Sequence, residues 1–264
     1  MIITSPNSTH YEYIEFFVKS NFSGYIFCEK PPVVSPDELL ALKKMSDNFK
    51  QKILFDFNLR FSKLYELLTY KKYGQLLYLN IVNGHGLGYK SSYKNSWRND
   101  KKINKLGIFK TVIIHYIDLL FNALGEINYD NVQLNINSPY GNTIDNCMYS
   151  ARMKNETMVN IFVSYTMPYV NEVFLIFEDG LVKLTDKNIS IYEPRDTFAS
   201  NGNFTTPPLK ANIHLETNFW DDSEKRIVEF FVDVMKKKET LPLKLFDKTM
   251  FATEYIMKYC SNIL

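Results

Sequence analysis

A chain of 264 residues, 45% of them apolar, can form one large domain or two modest ones, and this composition excludes an intrinsically disordered polypeptide. The 31 basic and 29 acidic residues leave a net charge of +2, which gives no electrostatic case for nucleic acid or an anionic membrane as a partner. Cys28, Cys147 and Cys260 show neither metal-ligand spacing nor a disulfide framework. With no apolar run near the ~18 residues that span a bilayer and no signal-peptide start, the expected setting is the cytoplasm.

The first segment alternates strand and helix signals. Met1 to Thr4 reads as a short strand ending in Ser5-Pro6-Asn7. Thr9 with Glu12 three residues on reads as a capping box for a helix that Gly24 stops. Tyr25 to Cys28 is the next strand. Ser35, Pro36 and Glu38 open a second helix as N-cap, first-turn proline and acidic third position. Lys52 to Phe57 is a third strand, and the alternation argues for a parallel sheet. After Asn58 the character changes. Helical spacing runs from Phe61 to Lys72, a strand from Leu76 to Val82, and a polar Gly- and Lys-rich stretch from Asn83 to Lys105. A largely apolar helix spans Gly107 to Leu124, with Gly125 as its stop. Beyond it, alternating strands around Val132 to Asn137, Asn160 to Tyr165, and Val173 to Leu184 with a turn at Asp179-Gly180 predict an antiparallel meander. Asp221 to Lys238 is an amphipathic helix, and Phe246 to Cys260 is helical.

Two features carry chemistry. On the central helix, Thr111, His115, Asp118 and Asn122 are spaced 4, 3 and 4 apart and form one polar stripe on a buried element. Such groups must find partners or face a cleft, because an unpaired buried polar group costs ~1–3 kcal/mol. Cys28-Glu29-Lys30-Pro31-Pro32 follows a strand and precedes a helix, and ligands of parallel sheets bind outside the carboxyl ends of the strands. A lysine there with an imidazole in the same cleft forms a proton-transfer pair suited to oxidising an alcohol while a nicotinamide takes the hydride.

The order of motifs resembles the Gfo/Idh/MocA oxidoreductases, the family of glucose–fructose oxidoreductase and inositol dehydrogenase. The matching residues are Thr4-Ser5-Pro6-Asn7-Ser8-Thr9-His10, Glu29-Lys30-Pro31, Asn58-Leu59-Arg60-Phe61, Trp97-Arg98, and His115-Tyr116-Ile117-Asp118-Leu119-Leu120 in a Gly-led helix. The resemblance implies α/β plus α+β architecture. Residues 1–58 would form the C-terminal half of a Rossmann domain with parallel strands. Residues 59–264 would form a substrate and oligomerisation domain with an open, mainly antiparallel sheet, its C-terminal helix packing back on the first domain. It implies catalytic roles for Lys30 and His115, and a cofactor cleft of Pro6, Asn7, His10, Glu29 and Lys30. Arg98, Trp97 and Arg60 would face the substrate. The cofactor would be NAD or NADP, the substrate a sugar or sugar nucleotide, and the assembly a homo-oligomer through the sheet.

Two departures qualify the expectation. Many members carry an aspartate four residues before the histidine, where this chain has Thr111, which cannot carry charge. The family also opens with a strand, a Gly-x-Gly-x-x-Gly loop and a helix that docks the pyrophosphate, and no such start precedes Ser5-Pro6-Asn7. In the strand order 3-2-1-4-5-6 only strands 4 to 6 would remain, with Ile2-Ile3 as an open edge. The expectation is therefore a truncated gene or a separate N-terminal fragment, with weakened or lost dinucleotide binding. The alternative reading is a non-catalytic interaction protein, an oxidoreductase remnant that binds no dinucleotide.

Overall fold

The computed structural model describes residues 1–194 and 197–262. They form two compact units. The first comprises Met1–Phe61, Lys110–Asn122 and Ser223–Leu264, and the second Ser62–Phe109 and Ala123–Asp222.

The first unit is built on a three-stranded parallel sheet in the order β1 (Ile2–Ile3), β2 (Ile26–Cys28) and β3 (Ile53–Phe55). Ile3 pairs with Cys28 and Cys28 with Phe55, and β1 is the edge. All residues of β2 and β3 are buried, as expected for strands covered on both faces. Helices α1 (His10–Lys19), α2 (Pro36–Lys43) and the short α3 (Asp47–Lys50) connect them. The capping box at Ser35 and Glu38 forms as the sequence predicts. The one expected at Thr9 does not: its hydroxyl turns back to Ser5 Oγ and the Pro6 carbonyl, stabilising a 3-10 turn over Asn7–Thr9 instead. Nor does Gly24 stop α1, which ends at Lys19 with Asn21 at φ 52°. The chain returns to this sheet at its C-terminal end. α6 (Phe219–Lys237) and the segment after it set Ile227, Phe231, Val234 and Leu241 against Phe27 and Leu54. The Leu241 N–H donates to the Gln51 carbonyl, and α7 (Leu243–Asn262) brings Phe246 to Phe55.

The second unit is an eight-stranded mixed sheet. Its strands are β4 (Leu76–Gly84), β5 (Ile127–Asn135), β6 (Asn146–Met153), β7 (Met158–Ser164), β8 (Val170–Phe177), β9 (Leu181–Thr185), β10 (Asn188–Tyr192) and β11 (Leu209–His214). The order is β11-β10-β9-β8-β4-β7-β6-β5, and only β4–β7 is a parallel pair. Alternation sorts the faces: Cys147, Tyr149, Val159, Ile161, Val173 and Leu175 are buried, while Met148, Phe162, Val82 and Phe174 on the other face are half-buried. α4 (Lys63–Leu68), capped by Ser62, precedes β4, and three 3-10 turns fill the stretch after it. Gly107 sits at φ 48° against the Ile144 carbonyl, with no room for a Cβ, so a glycine has to lead the helix that follows.

Cys28 and Cys147 are free, buried thiols, one in each unit. Burial pushes both up, Cys28 with added repulsion from Glu29 and Asp56, and Cys147 to about 12. Among the described residues no helix is long and apolar enough to cross a membrane.

Candidate active site

The central helix begins as a five-residue π turn, Phe109–Ile113, and continues as α5 (Ile114–Ala123). Of its polar stripe, Thr111, His115 and Asp118 are buried, and each is committed differently. The Thr111 carbonyl accepts a hydrogen bond from Lys30 Nζ at 2.8 Å. Lys30 is half-buried just beyond the carboxyl end of β2, so the ammonium lies one helical turn before His115. The imidazole packs edge-on to Phe57, with ring centroids 6.1 Å apart. Burial first, and then the Lys30 charge, holds His115 well below the usual imidazole range, so it is neutral at pH 7.

Asp118 serves a second centre. Arg60, on the 3-10 turn Asn58–Phe61 after β3, donates through Nε and Nη2 to its two carboxylate oxygens. Nη1 donates to the Leu245 carbonyl and Nη2 also to Thr249. Burial raises the Asp118 carboxyl against the pull of Arg60. The guanidinium is 95% enclosed and its three nitrogens are engaged within the protein, so the described contacts of Arg60 brace the His115 helix.

The strand ends hold the remaining cofactor candidates. His10 is fully buried, with Nδ1 facing the Pro31 carbonyl at 2.8 Å and Nε2 the Ser5 carbonyl at 2.9 Å, and it ties the loop after β1 to the loop after β2. Pro6 is exposed and Asn7 half-exposed on the turn it holds. The Glu29 N–H donates to the Ile3 carbonyl and the Asp56 N–H to the Cys28 carbonyl, so Glu29 and Asp56 leave neighbouring strands at the same level. The Asp56 carboxyl is pushed up to about 7, by burial first and then by Glu29, with Lys30 pulling down and Glu224 adding repulsion. Asp56 belongs to none of the motifs in the sequence. The available signal was a carboxylate inside the apolar run Ile53-Leu54-Phe55-Asp56-Phe57.

Trp97 and Arg98 belong to the second unit. Both are exposed on a 3-10 turn, with the guanidinium 4.5 Å from the indole centroid. The Arg98 carbonyl is fixed by Asn104 and Thr143. In the same unit His85 stacks on Tyr165 and is held below its usual range by desolvation and then by Arg98 and Lys90. Two surface recesses of the first unit are lined by neither Lys30 nor His115. One of about 320 Å³ opens between α2 and α7, lined by Leu40, Lys43, Glu254 and Met257.

Residues 61–183 match the GFO/IDH/MocA C-terminal domain, and residues 1–56 match the oxidoreductase family with an NAD-binding Rossmann fold. The chain belongs to the GFO/IDH/MocA oxidoreductase family. Solved structures share the fold at low identity. A levoglucosan dehydrogenase in complex with NADH and levoglucosan superposes with a TM-score of 0.73 at 17% identity, over 99% of this chain and 77% of that one. A myo-inositol dehydrogenase from Corynebacterium glutamicum gives 0.69 at 18%, over 97% and 74%. An oxidoreductase from Agrobacterium radiobacter in complex with NAD+, L-tartaric acid and magnesium gives 0.73 at 15%, over 100% and 78%. No curated relative matches the sequence. The Rossmann-like parallel sheet followed by the larger, mainly antiparallel sheet is the GFO/IDH/MocA architecture expected from the sequence.

Proposed function

We propose that the chain is an NAD(P)-dependent dehydrogenase acting on a hydroxyl of a sugar or sugar nucleotide, with Lys30 and His115 handling the proton. One contact carries the reading: the Lys30 ammonium donates to the Thr111 carbonyl, one turn before a buried, neutral imidazole. An amide, a carboxylate and an ammonium at the carboxyl ends of parallel strands, from Asn7, Glu29 and Lys30, suit the ribose and nicotinamide end of a dinucleotide. Pro6 and His10 would shape that wall. When bound, the dinucleotide supplies the hydride acceptor. Lys30 would orient the substrate hydroxyl, and neutral His115 would take its proton as the carbonyl forms. Arg98 and Trp97 would contact the substrate, while Arg60 would hold the His115 helix in place. We assign residues 1–58 to the dinucleotide half and 59–264 to the substrate and oligomer half. The half-buried apolar face of the large sheet (Met148, Phe162, Val82) would pair copies of the chain. The cytoplasm is the setting we infer.

Within the described residues β1 pairs on one side only. A glycine-rich strand–helix unit adding to that edge would supply N–H groups for the pyrophosphate. Fluorescence titration with NADH and NADPH tests the reading, with and without such a fragment. Binding by the chain alone refutes the need for the fragment, and no binding in either case favours the non-catalytic remnant and overturns the dehydrogenase. In the binding-competent form, Lys30→Met and His115→Asn are each expected to lower kcat by about 10²- to 10⁴-fold. His115→Asn should leave NADH affinity unchanged.

A further inference from the structure

We propose that Asp56 is a positioning residue for Lys30: its carboxyl group, beside Glu29 at the end of β3, is the counter-charge that holds the Lys30 ammonium against the Thr111 carbonyl. The inference deepens the proposed function, since it rests on Lys30 being the working amine there.

Three observations converge on Asp56. The first is register: Phe55 pairs with Cys28, and the Asp56 N–H donates to the Cys28 carbonyl at 2.8 Å. The Asp56 backbone is therefore fixed beside the Glu29-Lys30 dipeptide, one strand away, and its carboxyl interacts with both side chains. The second is an open acceptor: Asp56 Oδ1 is buried and accepts no hydrogen bond among the described residues. An acceptor left so costs ~1–3 kcal/mol, and a neighbouring cation relieves that cost. The third is the charge around it. Glu29 on the adjacent loop and Glu224 on α6 repel its ionised form, while Lys30 attracts it, and with burial the group titrates at about 7.

Lys30 Nζ sits on the Thr111 carbonyl one helical turn before His115, and its charge helps to keep that imidazole neutral. Lys30 thus interacts with a carboxyl that changes charge near neutral pH and with a base kept uncharged. Ionised Asp56 would retain the Lys30 proton, and protonated Asp56 would loosen it.

Side-chain NMR on the full chain tests this coupling without dinucleotide or substrate. The Lys30 resonance, assigned by its loss in Lys30→Met, is followed from about pH 5 to about pH 9. The wild-type signal is expected to inflect near the Asp56 midpoint, Asp56→Asn to abolish that inflection, and Asp56→Glu to restore it. Reciprocally, the Asp56 carboxyl carbon in Lys30→Met should titrate higher by roughly one unit. A Lys30 signal identical in wild type and Asp56→Asn at every pH, or an Asp56 midpoint unmoved by Lys30→Met, overturns the proposal. The NADH titration is a separate readout, so failure of the dehydrogenase reading and failure of this coupling cannot be confused.

Discussion

Arg60 brings a full charge into the interior of the first unit, and it is tolerable there because Asp118, the Leu245 carbonyl and Thr249 meet its donors. Removing one member of such a pair strands the other. Arg60→Met is expected to cost about 3–5 kcal/mol, and adding Asp118→Leu to recover most of it, as read by urea unfolding. Asp56 pulls the other way. Its native midpoint of about 7 stands above the ordinary 3.8, so the native state holds this proton longer than the unfolded chain does. The position is free of penalty at low pH, and stability falls as pH rises between those two values. Asp56→Asn should therefore stabilise the protein above pH 7 and leave it unchanged near pH 4, measured by unfolding at each pH. An equal gain at both would remove the explanation. Arg60 was legible as a motif residue, but its partners come from α5 and α7, far along the chain. Asp56 stood out only as a carboxylate in an apolar run, and its role was not legible for a related reason, because its neighbours Glu29 and Glu224 meet it only through strand register and the return of α6.

At the scale of elements, the two helix starts read alike in sequence and differ in space. Ser35 accepts from the Glu38 N–H while the Glu38 carboxylate accepts from the Ser35 N–H, and that pair was readable because Pro36 fixes the entry. Thr9 offered the same spacing, but Ser5 and Pro6 lay closer to its hydroxyl. Ser35→Ala is expected to lose about 1 kcal/mol by thermal or denaturant melt. Thr9→Ala should lose only a few tenths, because no helical N–H depends on its side chain. Strands with clean alternation were legible, as in Val173 to Leu184. β6 was not, because Asn-Cys-Met-Tyr-Ser-Ala-Arg-Met lacks β-branched residues and takes its place from cross-strand pairing with β5 and β7. The π turn at Phe109–Ile113 likewise leaves no mark in an apolar helical pattern.

Over the whole molecule, the parallel pairing of β1, β2 and β3 followed from three apolar runs separated by helices, while their order with β1 at the rim followed from the family resemblance. The mixed pairing of β4 with β7 did not, since register between distant strands is set by burial and not by local spacing. Each unit carries its own enclosed sulfhydryl: Cys28 is completely covered in the first and Cys147 in the second. A protonated, shielded sulfur reacts with iodoacetamide only when its surroundings open. With Cys260 replaced by serine, the two labelling rates become independent clocks for the breathing of each half of the protein. Mass spectrometry of the labelled peptides should return two distinct rates if the halves open separately, and one shared rate if they open together. A dinucleotide added during labelling should slow the Cys28 clock first.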